Sequence, residues 1–193
     1  MRRALLVSLR MAVVTIVLTG VIYPLVVWGI GAVLFPRQAS GSLLTSADGS
    51  VIGSSLIGQS FASDKYFHSR PSAAGANGYD AMASSFSNLG PTSKALISAV
   101  ETRLAEVVRA DGATRGSVPV DMVTASASGL DPDISPDNAA LQTSRVARTR
   151  GLSVGAVKQL VAAHTRGRDL GFLGEPRVNV LELNLALDAL SSK

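Results

Sequence analysis

Met11-Ala-Val-Val-Thr-Ile-Val-Leu-Thr-Gly-Val-Ile-Tyr-Pro-Leu-Val-Val-Trp-Gly-Ile-Gly-Ala-Val-Leu-Phe35 is a run of 25 residues without a charged side chain. At about 1.5 Å per residue a helix of this length exceeds the roughly 30 Å hydrocarbon core of a bilayer, so the run predicts one transmembrane helix over 11–35. Tyr23 and Pro24 fall near its middle, where proline frees a carbonyl and can kink the helix without ending it. Trp28 and Phe35 suit its outer half and boundary. The competing reading is a secretory signal peptide, but its apolar core is normally about 7–15 residues and ends in a small-residue cleavage site. Here the run is longer and leads into Phe35-Pro36-Arg37.

The charges on either side orient that helix. Arg2, Arg3 and Arg10 precede it and Arg37 follows, so the positive-inside bias puts residues 1–10, a short N-terminal stub, in the cytoplasm and the bulk of the chain outside. Once these four arginines are set aside, 14 basic and 14 acidic side chains remain between Gln38 and Lys193. The pI near 9.9 therefore belongs to the flanks of the anchor, and the outer domain offers no general reason to bind nucleic acid. The chain of 193 residues has no cysteine, which excludes disulfides, a thiolate nucleophile and a cysteine metal site. With only His68 and His164, a multi-histidine metal site is excluded as well unless carboxylates complete it.

Residues 36–50, rich in Ser, Gly and Ala, read as a tether, and 51–193 as one folded domain expected in the periplasm. Val51–Phe61 suggests short strands with a turn or bulge at Gly53 or Gly58. Tyr66–Asn88 is poor in large apolar residues and predicts an extended loop, long enough to point to a partner contact. Leu96, Val100, Leu104, Val107 and Val108 recur at helical spacing between a cap at Thr92 or Ser93 and a stop at Gly112. Val118–Ser126 reads as an edge strand. Ser135-Pro136-Asp137 opens a helix that ends on Arg145, Arg148 and Arg150 before Gly151. Ser153 opens the next, with Val157, Leu160 and Val161 inward and a stop near Gly167. Residues 180–190 fit either a helix capped by Asn179 or an alternating strand, and Ala186, Ala189 and the cap favour the helix. The expected fold class is α+β, one N-terminal transmembrane helix followed by a domain in which helices outnumber short strands.

Catalytic patterns are sparse. Gly151-Leu-Ser153-Val-Gly155 spells a nucleophile elbow, with His164 downstream, which would make a membrane-anchored serine hydrolase. That turn needs a strand before it, whereas an arginine-ended helix precedes this one, so helix stop and N-cap explain the same residues. The chain has no phosphate-cradling P-loop. Nor does it have the Asp-Lys-Thr-Gly-Thr phosphorylation sequence of P-type ATPases; Asp64-Lys65 is followed by Tyr66. Arg145, Arg148 and Arg150, with Arg166 and Arg168 beyond, could bind phosphate or carboxylate, but cations at a helix C-terminus are favoured without a ligand. His68, beside Arg70 and Pro71, is either a partner contact or a solvated loop histidine, and His164 reads as a packing or cap residue.

Five stretches carry a family resemblance: Tyr66-Phe-His-Ser-Arg-Pro-Ser72, Ser87-Asn-Leu-Gly-Pro91, Gly129-Leu-Asp-Pro-Asp-Ile-Ser-Pro136, Arg145-Val-Ala-Arg148, and Leu170-Gly-Phe-Leu-Gly-Glu-Pro-Arg-Val-Asn-Val-Leu-Glu-Leu-Asn184. Together they resemble the C subunits of Kdp potassium-transporting ATPases, from the anchor to the last leucines. Asp133 departs from the histidine that family often carries after Asp-Pro. The resemblance implies a non-catalytic subunit of an ATP-driven, high-affinity potassium uptake complex in a bacterial inner membrane. Its implied partners are a potassium-channel-like subunit, a P-type ATPase subunit and a small single-helix subunit. The implied role is that of a catalytic chaperone raising the ATP affinity of the hydrolysing subunit, with no tightly bound cofactor and ATP entering through a transient ternary complex. Leu56-Ile-Gly-Gln59 looks somewhat like a nucleotide-contacting signature, so the alternative of a direct ATP-binding module rests on Gln59, Arg145 and Arg148. An outward-facing domain conflicts with that alternative. Within the shared stretches the expected partner contacts are His68, Arg70, Pro71, Asn88, Asp131, Arg177 and Asn179.

Overall fold

The computed structural model describes residues 1–46 and 48–191; Ala47 of the expected tether and the last two residues of the expected domain lie outside them. The described chain forms two compact units, the first ending at Ser54 and the second beginning at Ser55.

The first unit is dominated by one rod. Helix α1 (Arg2–Val17), a π-helical turn (Leu18–Ile22) and α2 (Tyr23–Leu34) run on without a break. The 33 residues Arg2–Leu34 are long and apolar enough to cross a membrane, with a mean hydropathy of 2.3 over the most apolar window and none of that window buried. The helical rod thus starts nine residues before the uncharged run does. Pro24 lacks an N–H and would leave a carbonyl one turn back unpaired. The chain accommodates it by widening: Tyr23 N–H donates to Leu18 O, five residues back, and Thr19 Oγ1 donates to Thr15 O at 2.8 Å. The residues read as a tether are not wholly irregular. They hold one helical turn, α3 (Pro36–Ala39), and a strand, β1 (Leu43–Thr45), that pairs antiparallel with β2 (Val51–Ser54) through a bulge between Leu44 and Thr45.

The second unit is helical with one small sheet. Helices α4 (Lys94–Asp111), α5 (Pro136–Arg150), α6 (Val154–His164) and α7 (Val180–Ser191) accompany strands β3 (Asp133–Ile134), β4 (Thr165–Arg166) and β5 (Arg177–Asn179). Strand β5 is central, antiparallel to both neighbours, with Ile134 and Thr165 opposite Val178. Helix starts follow the capping residues: the hydroxyls of Ser93, Ser135 and Ser153 accept from Leu96, Asn138 and Ala156 N–H. Asn179 Oδ1 accepts from Glu182 N–H at 3.0 Å, which settles 180–190 as a helix. Gly112 and Gly151 close α4 and α5 with φ near +68° and +67°.

Two expectations fail. Val118–Ser126 is no strand: Pro119 starts a tight 3-10 turn over Val120–Met122, and Met122, Val123 and Thr124 donate back to Pro119 and Val120 carbonyls, so the backbone coils on itself instead of pairing. The sheet edge comes instead from Asp133–Ile134. Helix α6 stops at His164 rather than near Gly167, because Thr165 turns extended and pairs with β5. Tyr66–Asn88 is the expected loop, with one 3-10 turn at Ala81–Ala83.

The core gathers Phe67, Ile134, Val146, Val157, Val178, Val180, Leu183 and Leu187 from the loop, the sheet and α5–α7. Each such side chain, removed from water, stabilises the unit by about 1.5–3 kcal/mol. Helix α4 contributes no fully buried residue, although its apolar stripe is half covered.

Candidate functional site

Helix α5 turns a polar stripe inward. Asn138, Gln142 and Arg145, at i, i+4 and i+7, are all buried. Buried polar groups are tolerable only when paired, and these form one continuous relay. Asp121 accepts from Ser135 N–H, Ser135 Oγ and Asn138 Nδ2 at 2.8–3.0 Å, which places a carboxylate at the positive end of α5. Gln142 Nε2 donates to Asn138 Oδ1 at 2.7 Å, and Gln142 Oε1 accepts from Arg145 Nη2 at 2.6 Å. Arg145 Nε donates to Asp111 Oδ1 at 2.7 Å, in an ion pair whose side chains are 2% and 4% exposed. That bond ties the end of α4 to α5.

The same stripe holds the loop in place. Gln142 exchanges two bonds with the His68 backbone, accepting from N–H at 2.7 Å and donating to O at 3.0 Å. Asn184 of α7 does likewise for Phe67, at 2.9 Å each. Arg145 Nη1 donates to the carbonyls of Asp64 and Tyr66. Arg150 Nε donates to Lys65 O, its guanidinium stacks 4.8 Å over Tyr66, and it pairs with Asp188, which also accepts from Tyr66 Oη. Side-chain amides and guanidinium groups thus do for Asp64–His68 what a neighbouring strand would do for a strand.

A cleft of about 460 Å³ opens between α4 and this pinned segment, lined by His68, Arg103, Val107, Asp111, Met122 and Gln142 among others. His68 Nε2 lies 3.2 Å from Ser63 O. Burial, with the nearby Arg145 charge second, holds the imidazole below its usual 6.5 and favours the neutral ring.

Beyond Ser69 the loop meets a second polar cluster. Arg70 Nη1 pairs with Asp131 Oδ2 at 2.8 Å, and Asp131 Oδ1 accepts from Asp133 N–H. Tyr79 Oη donates to Arg70 O at 2.6 Å, and burial pushes its phenol up to about 12. Ser72 Oγ donates to Gly129 O and accepts from Ala74 and Tyr79 N–H. Gly58 must be glycine here, because a Cβ would sit 2.4 Å from Asp131 O and 2.6 Å from the Tyr79 ring. Across a groove of about 410 Å³, Arg177 Nε approaches Asp133 Oδ2 at 3.4 Å, and Asn179 Nδ2 donates to Ser55 O and Asp133 Oδ1. Burial, then the Asp131 charge, raises the Asp133 carboxyl, and Arg177 only partly offsets this.

Of the residues singled out in the sequence, the structure brings Arg70, Asp131, Arg177 and Asn179 into this second cluster, with His68 and Pro71 on the neighbouring cleft. Asn88 stands apart, exposed, with φ at +53°. Gln59 contributes its backbone carbonyl as acceptor for Ser69 Oγ. Arg145 points into the core with four of its five N–H donors bonded, whereas Arg148 is exposed on the same helix. Ser153 and His164 occupy opposite ends of α6, about 16 Å apart by helix rise, and His164 Nδ1 bonds Leu160 O. Among the described residues no three His, Asp or Glu side chains come together as a metal site. Sequence reasoning missed Asn138, Gln142, Asp111, Asp121 and Asn184. The signal was present in the polar i, i+4, i+7 spacing of α5, which reads like a core stripe written in amides.

The shared stretches therefore build one scaffold: loop 66–72, strand β3 and strand β5 meet where α5 and α7 can hold them. The family model for KdpC, the K+-transporting ATPase c chain, matches residues 5–189. This chain belongs to the KdpC family. A potassium-transporting ATPase KdpC subunit of Gemmatimonas aurantiaca is 57% identical over 96% of this chain and 92% of its own. Those of Methylococcus capsulatus, at 56% over 95% and 96%, and Mycobacterium tuberculosis, at 54% over 98% and 100%, are similar. The KdpC match takes in most of the apolar rod as well as the second unit, so both are parts of what the family shares in length.

Proposed function

We propose that this KdpC-family chain is the accessory, non-catalytic subunit of an ATP-driven, high-affinity potassium uptake complex in a bacterial inner membrane. It works there beside a potassium-channel-like subunit, a P-type ATPase subunit and a small single-helix subunit. The observation that carries the reading is the unburied 33-residue apolar rod joined to a folded unit. So much exposed hydrocarbon needs lipid and neighbouring helices to cover it. Arg2, Arg3 and Arg10 keep Met1 in the cytoplasm, and the unit from Ser55 onward lies in the periplasm.

From there the subunit raises the ATP affinity of the hydrolysing subunit by stabilising the assembled pump, acting as a chaperone of its active state without touching nucleotide. Support comes from Arg145, one of the arginines that could bind phosphate by sequence, whose guanidinium is committed to Asp111, Gln142 and two loop carbonyls.

Single cysteines test the placement, since the chain has none of its own. A membrane-impermeant maleimide should label Ser87→Cys in intact cells and Ser8→Cys only after lysis; the reverse pattern overturns the topology. The role is tested by potassium uptake in cells whose complex carries only residues 1–54. Growth at micromolar potassium should be lost, and normal growth refutes an assembly function for the outer unit.

A further inference from the structure

The turn joining β4 to β5 carries an apolar tip that no core residue meets. Leu170, Phe172 and Leu173 are 82%, 68% and 49% exposed, three large hydrophobic side chains within four positions. The turn is rigidly built. Asp169 and Leu173 exchange N–H···O bonds at 2.9 Å in both directions, and Gly171 N–H donates to Arg168 O. Leu170 holds φ at +53°, a left-handed conformation that a β-carbon disfavours, and Gly171 and Gly174 supply the other positive φ values. A backbone fixed in this way has little freedom left to lose on docking.

The surrounding charges select the occupant. Arg166, Arg168 and Arg177 flank the turn, and each is already paired within the unit: with Glu182 at 2.6 Å, Glu175 at 2.7 Å and Asp169 at 3.2 Å. A loop that dips into a bilayer gains much of its hold from cations facing lipid phosphate. This rim is balanced and has none to spare, whereas an apolar tip ringed by neutralised charge matches the core and rim of a protein interface.

We infer that the Leu170–Leu173 turn is a docking knob that seats in an apolar socket on the extramembrane face of a neighbouring subunit of the complex. The inference rests on the subunit role proposed above. Phe172 and Leu170 fill the socket, and the paired arginines form its wet rim.

The test uses the full chain, purified in detergent and added to the remaining subunits of the complex prepared without it. An environment-sensitive dye on Leu170→Cys should shift to the blue and become shielded when co-elution shows assembly. The same chain in vesicles of phosphatidylglycerol and phosphatidylethanolamine, without the other subunits, should show no shift. Leu170→Ser/Phe172→Ser should weaken assembly by about tenfold or more while unfolding like the parent, since both side chains are solvent-exposed. Co-elution with an unshifted dye overturns the knob and leaves the subunit role standing. So does unchanged affinity of the double variant. A blue shift in vesicles alone makes the occupant lipid and overturns it too, and failure of the parent chain to co-elute removes the subunit role and the knob together.

Discussion

Arg145→Met is the sharpest test of the buried relay. Methionine keeps most of the side-chain volume and helix propensity but deletes all four observed hydrogen bonds. Leaving Asp111 without its partner, at 4% exposure, carries the penalty of an uncompensated buried charge, about 3–5 kcal/mol. The carbonyls of Asp64 and Tyr66 lose a donor as well, at about 1 kcal/mol each once water reaches them. The sum, about 5–7 kcal/mol, is a large part of the 5–15 kcal/mol that holds a typical domain together. The variant should therefore be near its unfolding threshold at 37 °C. Adding Asp111→Asn removes the stranded charge and should restore about 2 kcal/mol, so the cycle of singles and double has a coupling energy well above the scatter of such measurements. The control is Arg115→Met, which breaks an exposed pair with Glu101 and should cost less than about 0.5 kcal/mol. Pulse proteolysis of the detergent-solubilised full chain across a urea series reads the parent and all four variants, because cleavage reports opening of the second unit whatever the anchor does. A cost for Arg145→Met no larger than that for Arg115→Met, or a double variant as unstable as the single, refutes the claim that this relay holds the loop.

Three further outcomes are expected. His68 has a folded pKa below its unfolded 6.5, so the stability it contributes is complete above about pH 6.5 and is lost as pH falls toward the lowered value; His68→Gln should flatten that part of the stability curve measured by urea titration between pH 7.5 and 5. Gly58→Ala should destabilise by about 3 kcal/mol or more, since its Cβ meets backbone at Asp131 and the tightly held Tyr79 ring, and tyrosine near-ultraviolet circular dichroism should change with it. Ser153→Ala should lower stability by about 1 kcal/mol through loss of the α6 cap and leave potassium uptake intact; abolished uptake in a stably folded variant would revive a nucleophilic role.

What the sequence made legible was mostly local. The caps at Ser93, Ser135, Ser153 and Asn179 and the stops at Gly112 and Gly151 mark helices because their hydrogen bonds reach only three or four residues. The strand mistaken at Val118–Ser126 failed for a tertiary reason: Asp121 is drawn to the start of α5, and the chain around it coils to let it reach. Three strands of two or three residues each leave too short a pattern for alternation to register. The site was legible in its letters but not in its logic. Arg70, Asp131, Arg177 and Asn179 could be named, yet only the fold shows that the first three line one groove and that Asn179 bonds Asp133 beside it. Arg145 read as a helix-end cation, with ligand binding as the alternative, because a helix-end arginine and a buried one are spelled alike. Its neighbours three and seven residues earlier, Gln142 and Asn138, were the clue that it faces inward.

The widened turn before Pro24 also changes how the anchor can be gripped. One added residue in an α-helical ladder rotates everything after it by about 100°, so a line of side chains followed down α1 does not continue down α2. The line through Leu9 and Ile16, which an unbroken α-helix would carry on through Tyr23 and Ile30, therefore passes one residue later, through Pro24 and Gly31. A surface packed along one line of the upper half would lose that line in the lower half, and cross-linking partners along the rod should switch at the widened turn.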